Sequence, residues 1–147
     1  MKYSAKLINP KQRLILSEED YIRLYLEMDH EYRMGKMSRK RLHKIRDLLR
    51  DVTIYPVSWF PDDIITMNSS IELAEKDGSA RIVYLVYPRE ANKEQRQVSV
   101  FSSLGMRLLG QRTGQTIKSG RMRIAKILYQ PETLYHLHLH KPQRYKP

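Results

Sequence analysis

Three small constellations in the sequence combine residue types and spacings that could do chemistry. In VSVFSSLGMRLLGQRTGQT, residues 98–116, Gly105 and Gly110 have the G-x-x-x-x-G spacing of a phosphate-binding loop, with Thr113 close behind. A working loop of that kind needs Lys and then Ser or Thr directly after the second glycine, because the Lys reaches the phosphates and the hydroxyl holds magnesium. Gln111 and Arg112 stand there instead, and Met106, Leu108 and Leu109 are unsuited to a backbone cradle. The simpler reading is a short helix from Leu104 to Leu109, with Ser103 as its N-cap, Gly110 as a left-handed C-cap and Gly114 turning into a strand.

The second constellation is HLHLH, where His136, His138 and His140 alternate with leucines. On a strand the three would share a face and two could bind zinc, yet a closed tetrahedral site wants three or four converging ligands and no carboxylate follows. An edge strand or loose tail is the better expectation, and no metal or other cofactor is assigned. The third is the acidic set Glu27, Asp29 and Glu31. Asp29 and Glu31, two positions apart on a helix, point about 200° apart and cannot readily share one ion. Arg33, Lys36 and Arg39 crowd them with opposite charge. No Ser-His-Asp spacing or carboxylate pair stands out elsewhere, so a non-enzymatic protein is expected.

The elements that must carry these residues fall into two styles. Ser17 precedes Glu18, Glu19 and Asp20, an N-cap with acids in the first turn, where the helix dipole favours them. Tyr21, Leu24, Tyr25, Met28 and Tyr32 then recur at three and four, and Gly35 is a plausible stop. Ser38 can cap a second helix along Leu42, Ile45, Leu48, Leu49 and Val52, so residues 14–52 read as a short antiparallel helical hairpin. Arg39, Lys40 and Arg41 at its tip oppose the dipole, which suggests either a partner or merely exposed, screened charge.

Residues 53–62, TIYPVSWFPD, read as an extended connector. Strand-like runs follow at Ile64 to Met67, Ser70 to Leu73, Arg81 to Tyr87, Gln97 to Phe101, Gln115 to Lys118 and Arg121 to Tyr129. Asp77-Gly78 and Ser119-Gly120 are turn signals, and Pro88 ends the third strand. The fold class is therefore α+β, with residues 63–132 a mostly antiparallel sheet domain and residues 133–147 a basic tail.

Bulk composition agrees with a protein that meets other macromolecules. The chain has 147 residues, 41% of them hydrophobic, and a net charge of +11. It has no cysteine, which removes disulfides and thiolate chemistry and suits a reducing, cytoplasmic setting. MKYSAKLINPKQRLIL lacks the long apolar core of a signal peptide or membrane span. The positive excess is concentrated from Arg33 to Arg50 and from Arg107 to Lys126, which favours an acidic partner or nucleic acid. Stacking aromatics are sparse within the second cluster, which weakens a reading as a basic nucleic-acid-binding module.

The stretch SSLGMRLLGQRTG resembles the Gre family of RNA polymerase factors, whose pattern runs close to S-P-L-G-x-A-L-L-G-x-x-x-G-D. The match falls on Ser102, Leu104, Gly105, Leu108, Leu109, Gly110 and Gly114, and departs at Ser103, Arg107 and Gln115. DIITMNS at residues 63–69, LVYP at 85–88 and ILYQPE at 127–132 are similar to one branch, Rnk. The resemblance implies an FKBP-like C-terminal domain behind a short coiled coil. It also implies docking on RNA polymerase beside the secondary channel, through Phe101, Ser102, Ser103, Leu104 and Arg107. Members that stimulate transcript cleavage present two acids at the coiled-coil tip, and no such pair carries over to a tip of Arg39, Lys40 and Arg41. The expectation is a cytoplasmic, monomeric transcription regulator that binds polymerase without stimulating cleavage and contacts nucleic acid only indirectly. The alternative it leaves is a transcript cleavage factor acting through Glu27, Asp29 or Glu31. Prolyl isomerase activity does not follow from an FKBP-like fold alone.

Overall fold

The computed structural model describes residues 14–118 and 120–134. His136, His138 and His140, and most of the 133–147 tail, lie outside them. The chain divides into two compact units, Met1–Tyr55 and Pro56–Pro147.

In the first unit a short strand β1 (Ile15–Ser17) leads into helix α1 (Glu18–Arg33), and helix α2 (Arg39–Arg50) leads into β2 (Thr53–Tyr55). Local rules explain both helix starts. The Ser17 hydroxyl accepts from the Asp20 amide at 3.2 Å and the Ser38 hydroxyl from the Arg41 amide at 3.1 Å, each covering an amide that the helix itself leaves open. Gly35, at φ 74°, takes the left-handed turn that ends α1. Leu24, Met28, Leu42, Ile45 and Leu49 are the buried positions of the two apolar stripes. β1 and β2 pair in parallel, Ile15 with Thr53 and Ser17 with Tyr55, so the two ends of the unit are held together.

The second unit opens with a 3₁₀ turn at Val57–Trp59. Its five-stranded sheet comprises β3 (Ser70–Glu75), β4 (Ala80–Val86), β5 (Gln97–Ser99), β6 (Thr116–Ile117) and β7 (Met122–Tyr129), in the order β5-β4-β3-β7-β6. All pairings are antiparallel except β4 with β5. Helix α3 (Ser103–Leu108) follows β5. One sheet face is buried through Ile71, Leu73, Val83, Leu85 and Ile124, each at most 3% exposed. Each such side chain contributes roughly 1.5–3 kcal/mol when fully buried.

The expected strand at Ile64 to Met67 is not a ladder strand. Its four residues are buried, but only Ile64 forms a bridge, with Arg112. Continuous apolar text reports burial, and burial alone does not guarantee a paired strand. The other runs are strands with displaced ends: Ser70 to Leu73 lengthens to Ser70–Glu75, Arg81 to Tyr87 shifts to Ala80–Val86, and Gln97 to Phe101 shrinks to Gln97–Ser99 because Val100 and Phe101 turn into α3. Among the described residues no helix is long and apolar enough to cross a membrane.

Candidate functional site

The glycine-rich segment is a packed corner. The helix cap is Ser102 and not Ser103: its hydroxyl accepts from the Gly105 amide at 3.1 Å and donates to the Ser99 carbonyl at 2.6 Å. Ser103 is the first helical residue and is exposed. The Ser102 hydroxyl thus fastens the helix start to the end of β5, a tertiary duty that the local text S-S-L-G does not distinguish. Gly105 is required by contact. A Cβ there would lie 2.0 Å from the Ser99 carbonyl oxygen and 2.8 Å from the Val100 Cα, both backbone atoms. The helix is capped at its C-terminus by Leu109, whose amide donates to the Gly105 carbonyl, and not by Gly110; Gly110 at φ 79° and Gly114 at φ 94° are left-handed as expected.

Phosphate binding fails on hydrogen-bond accounting. The Gly110 amide donates to Ile65, Gln111 to Leu108, Thr113 to Asp63 and Gly114 to Ile124. The Arg112 amide donates to the Gln115 side chain. These five amides, which a cradle would turn toward a phosphate, already have partners. Arg112 itself reaches back to Asp63, at 2.8 and 2.9 Å from the two carboxylate oxygens.

Beside this corner the second unit has a groove of about 700 Å³. Val83, Val98 and Leu104 supply apolar wall, Ser99 and Ser102 supply hydroxyls, and Arg81, Lys93 and Arg96 supply positive charge. Among the described residues no acidic side chain lines it. The loop that brings in Lys93 and Arg96 is held by its own hydrogen bonds. The Asn92 side-chain oxygen accepts from the Glu94 and Gln95 amides at 3.0 and 3.2 Å, and Asn92 exchanges two backbone bonds with Gln97. Arg96 sits at φ 58°, an uncommon conformation for a residue with a Cβ. The Arg96 carbonyl accepting from the Tyr84 amide helps hold it there. Arg81 reaches Glu75 at 3.5 Å and the Met122 sulfur at 3.7 Å.

Of the residues singled out for docking, Ser102 and Leu104 line this groove. Ser103 and Arg107 are exposed on α3, and Phe101 is buried, 7% exposed. Arg81, Lys93 and Arg96 went unnoticed in the sequence. The only local signal was NKEQR, a polar loop whose carriage to α3 depends on the parallel pairing of β4 with β5.

A second cluster joins two of the motif stretches. From DIITMNS, Thr66 donates to the buried Glu132 carboxylate at 2.8 Å and lies 3.0 Å from the Ser69 hydroxyl. From ILYQPE, the Gln130 amide donates to the Pro61 and Ile64 carbonyls at 2.7 and 2.8 Å. These bonds tie the first and last parts of the unit together and present no open acid to solvent.

In the first unit Arg39 and Lys40 are exposed at the start of α2, and Arg41 is half-buried. Asp29 is bound by the Arg33 guanidinium through two contacts, one at 3.0 Å, and Glu27 is buried with Arg23 at 3.4 Å. Two of the three acids weighed for a cleavage role therefore face cations of their own helix. Among the described residues, no three of His, Asp and Glu gather as a metal site.

Residues 60–128 match the family described as transcription elongation factor GreA/GreB, C-terminal. Regulators of nucleoside diphosphate kinase from Escherichia coli strain K12 and from Shigella flexneri are each 34% identical over 80 residues. That stretch is 49% of this chain and 59% of theirs, so the chain spans less than two thirds of the length of these relatives. A prokaryotic transcription elongation factor GreA/GreB from Nitrosomonas europaea superposes at a TM-score of 0.67 with 20% identity, over 80% of this chain and 100% of that one. At that identity the likeness speaks to fold.

Proposed function

We propose, from the match of residues 60–128 to the GreA/GreB C-terminal family, that this protein regulates transcription by binding RNA polymerase beside its secondary channel. The docking surface is the groove between β4, β5 and α3. The observation that carries the reading is the meeting of Ser102 and Leu104, from the family-like signature, with Arg81, Lys93 and Arg96 in one acid-free groove. Apolar wall ringed by cations suits an element that offers an aliphatic side chain among carboxylates. Ser103 and Arg107, exposed on α3, would meet the partner at the rim.

In this reading residues 14–52 act as a short helical hairpin and residues 63–132 as an FKBP-like domain. Its tip of Arg39, Lys40 and Arg41 cannot organise magnesium, because three cations repel the ion that paired acids would hold. With Asp29 held by Arg33, binding proceeds without stimulated transcript cleavage. The protein works in the cytoplasm as a regulator and catalyses nothing itself.

Retention of purified polymerase on the immobilised protein tests this. The wild type should retain polymerase, and Leu104→Asp should lose it, because a carboxylate on the groove wall repels an acidic partner. Failure of the wild type to retain polymerase would sink the proposal. A stalled transcription complex that shortens its RNA with the wild type, but not with Asp29→Ala, would replace it with the cleavage reading.

A further inference from the structure

The face of the sheet turned away from the groove has a composition of its own. Arg81 and Val83 line the groove, so Tyr84 alternates to the other side of β4. Directly opposed residues of neighbouring strands share a face. Ser70 on β3 opposes Tyr84 on one side and Tyr129 of β7 on the other. The two tyrosines therefore flank one small residue in a single row, on strands about 10 Å apart. Tyr84 is 42% exposed and Tyr129 is 43% exposed, with Ser70 between them at 8%. The next row is Ile82, Glu72 and Lys126, and the row after it ends in Arg123. Lys126 and Arg123 are exposed, and Glu72 is the one acid of these rows.

We infer that this face binds single-stranded nucleic acid, with bases stacking on Tyr84 and Tyr129 and phosphates held by Lys126 and Arg123. Binding of single strands without sequence preference combines a cationic track with aromatic platforms, since every base has a stackable face. Both parts are present here, on a chain with net charge +11. The cations alone would serve any polyanion, including an acidic protein. Two half-exposed aromatic rings flanking a serine add a stacking surface that nucleobases use. Within the linear cluster from Arg107 to Lys126 no aromatic residue stands beside the charge. Pairing of β3 with both β4 and β7 brings Tyr84 to it from the far side of the sheet. The inference does not depend on polymerase docking, which uses the opposite face.

Fluorescence anisotropy of the full chain tests it, with labelled oligo-dT and oligo-U of about 12 nucleotides, a site size typical of one small domain. A duplex of the same length and polyglutamate serve as stackless polyanions. One or both single strands should bind at least ~10-fold more tightly than either polyanion. The double substitution Tyr84→Ala, Tyr129→Ala should remove that preference, whereas Tyr84→Phe, Tyr129→Phe should keep it. Lys126→Gln with Arg123→Gln should lower the dependence of log affinity on log salt by about 1–2. Should the alanine variant unfold, photo-crosslinking of bromouridine-containing oligo-U to the wild type decides instead. Adducts on the peptides holding Tyr84 and Tyr129 support the assignment. Equal binding to the duplex or polyglutamate, a folded alanine variant that keeps the preference, or adducts confined to other peptides would overturn it. The relative strength of the two oligonucleotides tells whether the ligand is RNA or DNA.

Discussion

The two units of this chain are held by interactions of different reach. In residues 14–55 the named polar contacts are mostly short in sequence: Ser17 with Asp20, Asp29 with Arg33, Ser38 with Arg41 and Asp47 with Arg50. Residues 56–134 have local contacts too, such as Ser79 with Asp77 and Ser102 with Gly105, but add side-chain ties that bridge distant text: Asp63 with Arg112, Thr66 with Glu132, and Gln130 with Pro61. The difference teaches where each unit is vulnerable. A local cap lost from a helix removes one bond and frays one turn, whereas a long-range tie lost from the sheet unit loosens a corner that several strands share.

The largest effect is expected from Gly105→Ala. The added methyl would sit 2.0 Å from the Ser99 carbonyl oxygen, so α3 must move off β5. A cost of about 3 kcal/mol or more is expected, at the upper end for overpacking. Denaturant unfolding should show it as an early loss of the sheet unit, with the helical signal of residues 18–50 retained. Simultaneous loss of both signals would show that the units do not unfold separately.

Next in size is Glu132→Ala, which leaves the buried Thr66 hydroxyl without its carboxylate acceptor. A loss of about 1–3 kcal/mol is expected, and Glu132→Gln, which keeps an acceptor oxygen, should recover part of it. The same denaturation experiment reads this. Smaller still are Ser17→Ala and Ser38→Ala, each about 1 kcal/mol by loss of an N-cap. Circular dichroism should register them as reduced helicity, and the tertiary signals of the sheet unit should stay unchanged.

The smallest effect sits in the β3–β4 turn. The Ser79 hydroxyl and amide both donate to Asp77, which holds its carboxyl below the ordinary aspartate range. A depressed folded pKa means that the contribution is present above the unfolded pKa of about 3.9 and is lost as pH falls through the lower folded value. A carboxyl-resonance titration of Asp77 should therefore run lower than in Ser79→Ala. Tyr25 gives the mirror case in the other unit. Burial, then hydrogen bonding and charge from Tyr21, push its phenol upward. Whatever stability this lends persists below the unfolded pKa of about 10 and is lost as pH rises through the folded value. Absorbance titration in alkali should show Tyr25 ionising late in the wild type and less late in Tyr21→Phe, where burial still raises it.

The helix pair was legible because its signals are carried within one or two turns. Ser17, Ser38 and the three-and-four spacing of Leu24, Met28, Leu42, Ile45 and Leu49 each act on neighbours a few residues away. The sheet was legible in its strands and in the Asp77-Gly78 turn, and much less so in its partners. Nothing local says that β5 pairs in parallel with β4, or that β3 lies between β4 and β7. The site was read by half for the same reason. The signature pointed to Ser102 and Leu104, while Lys93 and Arg96 reach the groove through the pairing of β5, and Phe101 turned inward to be buried.

The sequence by itself determined the two long helices with their caps at Ser17 and Ser38, the α+β character, the positive charge and the left-handed turns at Gly110 and Gly114, all of which follow from composition or from interactions between near neighbours in the chain. Only the tertiary structure decided that Gly105 answers to the Ser99 backbone, that the amides of the near-P-loop are already spent on Ile65, Asp63 and Ile124, and that Tyr84 and Tyr129 share a face. Those outcomes depend on which strands pair and in what register, and register is fixed by the burial of whole faces, not by any stretch of residues alone.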